Sequence, residues 1–458
     1  MFSSIRTQNE KYRRDDASSE RKYPLPDNKQ RQTPRLLFLS YAFPPARKTS
    51  SVRSGNIAKH LARRGWDVTV VTPDPALLRH LDGTEKGQAA ARAESIRRIT
   101  TGHSYRFLNP VFLKSSDRGL GWFLGSVCRR AGQHFGIDKA VGWSPHIDKV
   151  CASLRSEDVD VIFATGAPFV SFEAARRLAR RLGKPYVLDY RDPWTGNPHE
   201  SRFNKPSVIR KETGLLRDCA AATIVSPSWA VAMQRRFPLE SKLHVITNGY
   251  DPEELSDIES HDFGHFAIVY TGIFHPPKRV ITPIFTALKL LKEQCSDQPW
   301  RFHYYGDHEN HVREESQRAG IMDRVSLHGY VPREEALAAV RGAGLSVVIT
   351  SVEDTNEVAD HGIVPGKLFE CLGMRSPTLV ITPPGSDVAV MAKTTKLLRC
   401  CAGTDVHAIA SVIRERMQKR GFETAGPDAY SWPAIARKLD KVLRGVMEKR
   451  KAGESHLM

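Results

Sequence analysis

The segment Pro365-Gly366-Lys367-Leu368-Phe369-Glu370 brings together the residue types of a phosphate site. Gly366 precedes a short amphipathic run. Amides at a helix start have no intrahelical acceptor and can bind phosphate oxygens. Lys367 adds a cation there, and Glu370 lies about one turn further on, where a carboxylate can accept hydrogen bonds from both hydroxyls of a ribose. A second such segment follows the apolar run 267–270, where Thr271-Gly272 precedes Lys278-Arg279. Glycine directly after a strand permits close approach of a diphosphate, and the cations can neutralise it. In Asp189-Tyr190-Arg191-Asp192-Pro193-Trp194, two carboxylates flank an arginine at a strand end. Such a carboxylate is a candidate acid/base or electrostatic group. The loop 41–51 carries Arg47, Lys48 and several hydroxyls. Taken singly, each segment fits equally an ordinary solvated loop, a plain helix start or a structural Asp–Arg pair.

Other chemistries lack their residues. There is no Walker A loop and no Gly-x-Gly-x-x-Gly, which argues against a P-loop ATPase and a standard dinucleotide enzyme. The 17 histidines show no metal-ligand spacing, and the one Asp-x-Asp, Asp158-Val159-Asp160, runs into a strand. No bound metal and no cofactor are expected. The seven cysteines form no Cys-x-x-Cys pair, which fits reduced thiols in a cytoplasm. No apolar run reaches the roughly 18 residues of a spanning helix, and no signal peptide is expected. The net charge of +17 is unevenly placed: residues 1–250 hold 42 basic against 23 acidic side chains, and the rest 26 against 28. A basic N-terminal half attracts an anionic partner. With no recognition-helix motif or interleaved aromatics, a nucleic-acid partner is not expected.

The elements that must position these residues are read from periodicity. Residues 1–34 are polar and charged and read as a disordered basic tail. Short apolar runs at 35–40, 68–71, 159–164, 186–189, 221–225 and 243–246 read as buried parallel strands, with helices between several of them. After a break at 248–265 a second series begins: strands at 267–270, 300–305, 325–327, 345–349 and 378–381, with helices at 282–292, 333–341 and 367–372. The fold class is α/β, with two facing, doubly wound Rossmann-like domains and a cleft between them at the strand carboxyl ends. The expected boundaries are 35–248 for the N-terminal domain and 249–430 for the C-terminal one. A final helix, 431–458, is expected to pack back toward the first domain.

In order and spacing, these pieces resemble the family 4 glycosyltransferases of GT-B fold, of the bacterial polysaccharide type, over roughly residues 35–445. The matching segments are RLLFLSYAFPP with SVRSGNIAKHLARRGWDVTVVTP, GWSP, DVIFATGAPFVS, GKPYVLDYRDPW, VITNGYDPEE, IVYTGIF, VSLHGYVPREEAL and VPGKLFECLG. The resemblance implies that the N-terminal domain receives the acceptor and the C-terminal domain holds a nucleotide-diphosphate sugar. Lys278 would contact the diphosphate, helped by Lys367 or Arg279. Gly272 would admit the phosphates, the Pro365-Gly366 turn would present amides to them, Glu370 would hold the ribose, and Tyr330 and Val331 would line the base site. Asp192 stands nearest to the place of the family's N-domain histidine, with Arg191, Arg47 and Lys48 on the acceptor side.

Two departures stand out. Eight residues before Glu370, where the family has a first glutamate, this chain has Gly362, with Asp360, His361 and Glu357 as possible substitutes. The glycine-rich first loop is replaced by 47–51. The function implied is transfer of a hexosyl-type sugar to a glycan or lipid-linked acceptor with retention of configuration. The setting implied is cytoplasmic, with possible peripheral contact to an anionic membrane through the basic half, where Trp122-Phe123-Leu124 with Arg129-Arg130 is a candidate segment. Alternatives are a sugar-nucleotide epimerase of the same fold and a non-catalytic nucleotide-sugar-binding protein.

Overall fold

The computed structural model describes residues 33–455 except 47–48, 78–95, 105–125, 128–129, 131, 133–134, 198–199, 240, 295–298, 355–356 and 419–426. Its strands are β1 (Arg35–Leu39), β2 (Asp67–Pro73), β3 (Ile96–Thr101), β4 (Val161–Gly166), β5 (Tyr186–Tyr190), β6 (Ala221–Ile224) and β7 (Leu243–Val245), then β8 (Phe266–Thr271), β9 (Trp300–Tyr305), β10 (Val325–Leu327), β11 (Leu345–Ile349), β12 (Thr378–Ile381) and β13 (Leu398–Cys401). Its α-helices are α1 (Thr49–Ala62), α2 (Ser144–Val150), α3 (Val170–Leu182), α4 (Pro206–Asp218), α5 (Pro227–Gln234), α6 (Pro252–Ser256), α7 (Thr282–Gln294), α8 (Glu309–Ala319), α9 (Arg333–Gly342), α10 (Val358–His361), α11 (Gly366–Gly373), α12 (Asp387–Ala392), α13 (Val406–Gln418) and α14 (Trp432–Ser455).

The strands form two parallel sheets. One has seven strands in the order β3-β2-β1-β4-β5-β6-β7, the other six in the order β10-β9-β8-β11-β12-β13. Both reverse direction beside their first strand, between β1 and β4 and between β8 and β11. Ligands bind at such switch points, outside the carboxyl ends of the strands. The apolar runs of the sequence become strands because helices cover both sheet faces: every residue of β4, β5 and β12 is buried. Gly183 ends α3 in the left-handed conformation, as a Cβ-free residue allows.

Two chain crossings join the lobes. Tyr250 and Ser431 form a parallel bridge. Tyr250 N donates to Tyr430 O at 3.1 Å and Trp432 N to Tyr250 O at 2.8 Å. Gly249 is needed here for space, since a Cβ would lie 2.4 Å from Tyr430 O and 2.3 Å from Ile435 Cδ1. Beyond the crossing, α14 returns to the N-terminal lobe. Trp432, Ile435, Leu439 and Leu443 join Leu36, Phe38, Leu61 and Val68 in one core. Asp440 accepts from Trp66 Nε1 at 2.7 Å and from Arg64. Strands β3 and β13 and helices α2, α4, α5, α6, α8, α10, α12 and α13 lie outside the elements expected from periodicity. Strand β3 reads Ile-Arg-Arg-Ile-Thr-Thr, and its half-exposed place at the sheet edge explains its lack of an apolar run.

Candidate active site

Three adjacent strands of the C-terminal lobe each end at a glycine: β8 at Gly272, β9 at Gly306 and, after His328, β10 at Gly329. Gly272 N donates to Tyr305 O at 2.7 Å and Gly306 N to Gly329 O at 2.8 Å, so the three turns are tied side by side. Gly272 has φ of 110°, a conformation that side chains disfavour. A Cβ at Gly306 would lie 2.4 Å from Gly272 O. The result is a strip of bare backbone at the switch point. Tyr304 donates its hydroxyl to Gly272 O at 2.9 Å and accepts from His308 N at 2.9 Å. Tyr270 stacks on Phe274 with centroids 4.7 Å apart, which makes the floor rigid.

Two cations face this strip. Lys367 Nζ lies 2.7 Å from Thr271 O, 4.2 Å from the Tyr270 ring centroid and 3.0 Å from where a Cβ on Gly272 would be. Burial, and next the charge of Arg279, lower its pKa to about 7. Burial also lowers the pKa of Arg279, whose Nε is buried without a hydrogen bond. Arg279 is held in place by an antiparallel bridge to His275. Neither cation has an ion-pair partner among the described residues. Two half-buried cations without a carboxylate beside bare backbone make a site that favours an anion.

Lys278 is arranged differently. Its ammonium lies 2.7 Å from each carboxylate oxygen of Asp360 on α10, and its carbonyl accepts from Val352 N at 2.7 Å. Asp360 is buried, whereas Lys278 is half-exposed.

Pro365 caps α11, and Gly366 and Lys367 open its first turn beside Gly272. Their amides have no acceptor inside the helix. One turn on, Glu370 is half-exposed and pairs with Arg333 at 3.0 Å. Arg333 opens α9, three residues after Tyr330. Tyr330 is 68% exposed, and Val331 is partly buried against the core that contains Leu368 and Phe369. Thus Lys367 of α11 meets the Gly272 turn, Glu370 meets Arg333 at the start of α9, Val331 packs against the core beneath α11, and Lys278 is anchored to α10.

In the N-terminal lobe the Asp189–Asp192 turn divides by function. Asp189 is fully buried at the end of β5 and pairs with Arg53 of α1 at 2.7 Å. It also accepts from Thr165 at 2.8 Å and Thr223 at 2.7 Å. Burial pushes its pKa up, but the Arg53 charge and these hydrogen bonds outweigh that and hold it below the ordinary value. Arg53 further donates to the carbonyls of Ile246 and Thr247 and to Asn248 Oδ1. This network is a structural tie. Arg191 donates to the carbonyls of Gly166 and Ala167, which fixes the turn after β4. Asp192 accepts no hydrogen bond among the described residues, and burial raises its pKa to about 6 against the opposing charge of Arg191. Close by in sequence, Thr195 donates to buried Glu212, whose pKa burial raises to about 7. Among the described residues, no hydrogen bond joins Arg191 or Asp192 to the C-terminal lobe. Arg47 and Lys48, like Trp122-Phe123-Leu124, lie outside the described residues.

Residues that sequence reasoning passed over include Gly306, Arg53 and Trp229. The signal for Gly306 was available, since it follows an apolar strand just as Gly272 does. Arg53 and Trp229 gave none, because their partners lie far away in the chain. Among the described residues no group of three or more His, Cys, Asp or Glu side chains could hold a metal ion. No helix among them is long and apolar enough to cross a membrane.

Residues 49–249 match the family profile described as Glycosyl transferase 4-like domain. No curated protein sequence matches the chain. Solved structures resemble it in fold. The sucrose-phosphate synthase of Thermosynechococcus elongatus aligns over 91% of this chain and 100% of its own, with a TM-score of 0.59 and 15% identity. The trehalose 6-phosphate synthase of Burkholderia multivorans covers 92% and 98%, with 0.59 and 12%. The E. coli trehalose-6-phosphate structure bound with UDP-2-fluoro glucose covers 92% and 98%, with 0.55 and 11%. These findings bear out the resemblance to the family 4 glycosyltransferases and the two-sheet α/β fold expected from it. They support a glycosyltransferase activity.

Proposed function

We propose that this chain transfers a sugar from a nucleoside-diphosphate donor to a glycan or lipid-linked acceptor, with retention of anomeric configuration and without a bound metal. The observation that carries the reading is the pair Arg279 and Lys367, neither with an ion-pair partner among the described residues, set beside Gly272 and the first amides of α11. A diphosphate fits there because it brings the missing negative charge. Its departure from the sugar would be stabilised by the two cations, by Lys278 and by the helix amides, which is electrostatic catalysis. Glu370 would hold the ribose, and Tyr330 and Val331 would line the base site. Asp192 would face the reacting sugar from the N-terminal lobe, with Arg191, Arg47 and Lys48 on the acceptor side.

The UDP-sugar in the E. coli structure of the same fold supports a nucleotide-sugar donor. The basic N-terminal half would favour an anionic acceptor or a peripheral place on an anionic membrane surface inside the cell. The deciding experiment screens UDP-, GDP- and ADP-sugars by thermal shift. The donor that stabilises the protein is then incubated with and without candidate acceptors. Release of free nucleoside diphosphate that requires acceptor supports transfer. Donor conversion without acceptor would mean an epimerase, and binding without conversion under any condition a binding protein.

A further inference from the structure

The position of Gly362 has a spatial cause. Its backbone is ordinary, with φ of −79° and ψ of −1°, so no conformational need excludes a side chain. A Cβ there would lie 2.2 Å from Trp229 Cδ1 and 2.5 Å from its Nε1. Trp229 belongs to α5 of the N-terminal lobe and is buried against α10 of the other lobe. Its indole N–H donates to Ala359 O at 2.7 Å. Immediately before it, Ser228 donates from its amide and its hydroxyl to Asp387, at 3.0 Å and 2.6 Å. A carboxylate of the C-terminal lobe thus caps a helix of the N-terminal lobe.

The residue between Ala359 and His361 is Asp360, which holds the Lys278 ammonium through both oxygens. The indole of one lobe therefore grips the four-residue helix that aims a donor-side cation of the other.

We propose that Trp229 and Asp360 are positioning residues for Lys278, and that seating Trp229 over Gly362 places the Lys278 charge at the donor diphosphate only when the lobes are together. This deepens the donor-site reading above and rests on it for the identity of the anion. Glycine at 362 is then the complement of the indole.

Two substitutions weaken the grip without touching the cation. Trp229→Phe removes the indole N–H, and Gly362→Ala wedges the ring away. The first measurement needs no activity. It is the acylation rate of Lys278 by a small amine-reactive reagent, read by peptide mass spectrometry on the full chain. The rate rises in both variants at a temperature where circular dichroism shows each still folded; an unchanged rate overturns the proposal. The second measurement is kcat with the donor identified by the screen. Lys278→Ala costs about 100-fold or more, and Trp229→Phe and Gly362→Ala each lose part of that. Placed on Lys278→Ala, they cost nothing further, because they act through the same group. Additive losses would mean a merely structural role and overturn the proposal. A parent that protects Lys278 but transfers no sugar would refute the transferase reading and leave the positioning intact.

Discussion

The Lys367 ammonium lies 2.7 Å from the Thr271 carbonyl, one residue before the strand exit at Gly272. The start of α11 and the glycine turn after β8 are thus joined by one side chain, although 96 residues separate Lys367 from Thr271 in the chain. That contact sets the first expectation.

With a pKa of about 7, Lys367 is half neutral near physiological pH in the free protein. A bound diphosphate favours the ammonium and raises this value. Binding is then strongest below pH 7, weakens as pH rises through 7, and takes up to one proton per ligand. The weakening approaches about tenfold per pH unit, or 1.36 kcal/mol. Calorimetry with a nucleotide sugar in buffers of different ionisation enthalpy measures the proton uptake; none at pH 8 would rule the role out. For stability the sign is reversed. The folded pKa lies below the unfolded 10.5, so the penalty is fully present below pH 7 and fades toward 10.5. Lys367→Met should therefore raise Tm at pH 6.5 while removing donor binding.

Asp192 should impose an acid limb on turnover. Its carboxyl titrates at about 6 because burial disfavours the charge. If the carboxylate faces the reacting sugar, kcat/KM falls as pH drops through 6. Asp192→Asn should lose about 100-fold and flatten that limb, the scale of losing one preorganised charged group. An identical limb in the Asn variant would assign the titration elsewhere, with Glu212 at about 7 the next candidate.

Glu370 pairs with Arg333 through Oε1, and the proposed donor reading gives it the ribose. Glu370→Ala should weaken nucleotide binding by about 1.5–3 kcal/mol, the range for hydrogen bonds to a charged group. The loss should vanish with a 2′,3′-dideoxy nucleotide. An equal loss for both ligands would show that the carboxylate touches something other than the ribose.

Arg53→Met should test the buried tie in the N-terminal lobe. It leaves Asp189 charged, fully buried and held only by two threonine hydroxyls. About 3–5 kcal/mol of stability should be lost at neutral pH. In the parent this stabilisation is present above the unfolded carboxylate value and is lost as pH falls through the depressed folded one. Urea unfolding at pH 7 and pH 3 reads both; a difference between variant and parent that stays constant with pH would count against the pair.

Most of the two-sheet fold was legible because central parallel strands, covered on both faces, must be continuous apolar runs. Strand β3 was not, since an edge strand need not be apolar on both faces. The turns proposed for the donor were legible for a related reason. Strand exits, helix starts and the cations beside them are local features, so Gly272, Lys278-Arg279 and Gly366–Glu370 show themselves in short windows. The Asp189–Asp192 turn was legible only as a set of residue types. Whether Asp189 or Asp192 carries a free carboxylate depends on Arg53, which is 136 residues from Asp189.

The sequence by itself determined the period of the elements, the basic character of the first half and the local phosphate-type turns, since each depends on neighbours within a few residues. Tertiary structure decided which charges are spent on one another. It paired Lys278 with Asp360 and Asp189 with Arg53, left Arg279 and Lys367 without an ion-paired carboxylate among the described residues, and placed Trp229 where a side chain at 362 would stand. Those outcomes depend on which distant groups the packing of two lobes brings within 3 Å, and no local pattern carries that information.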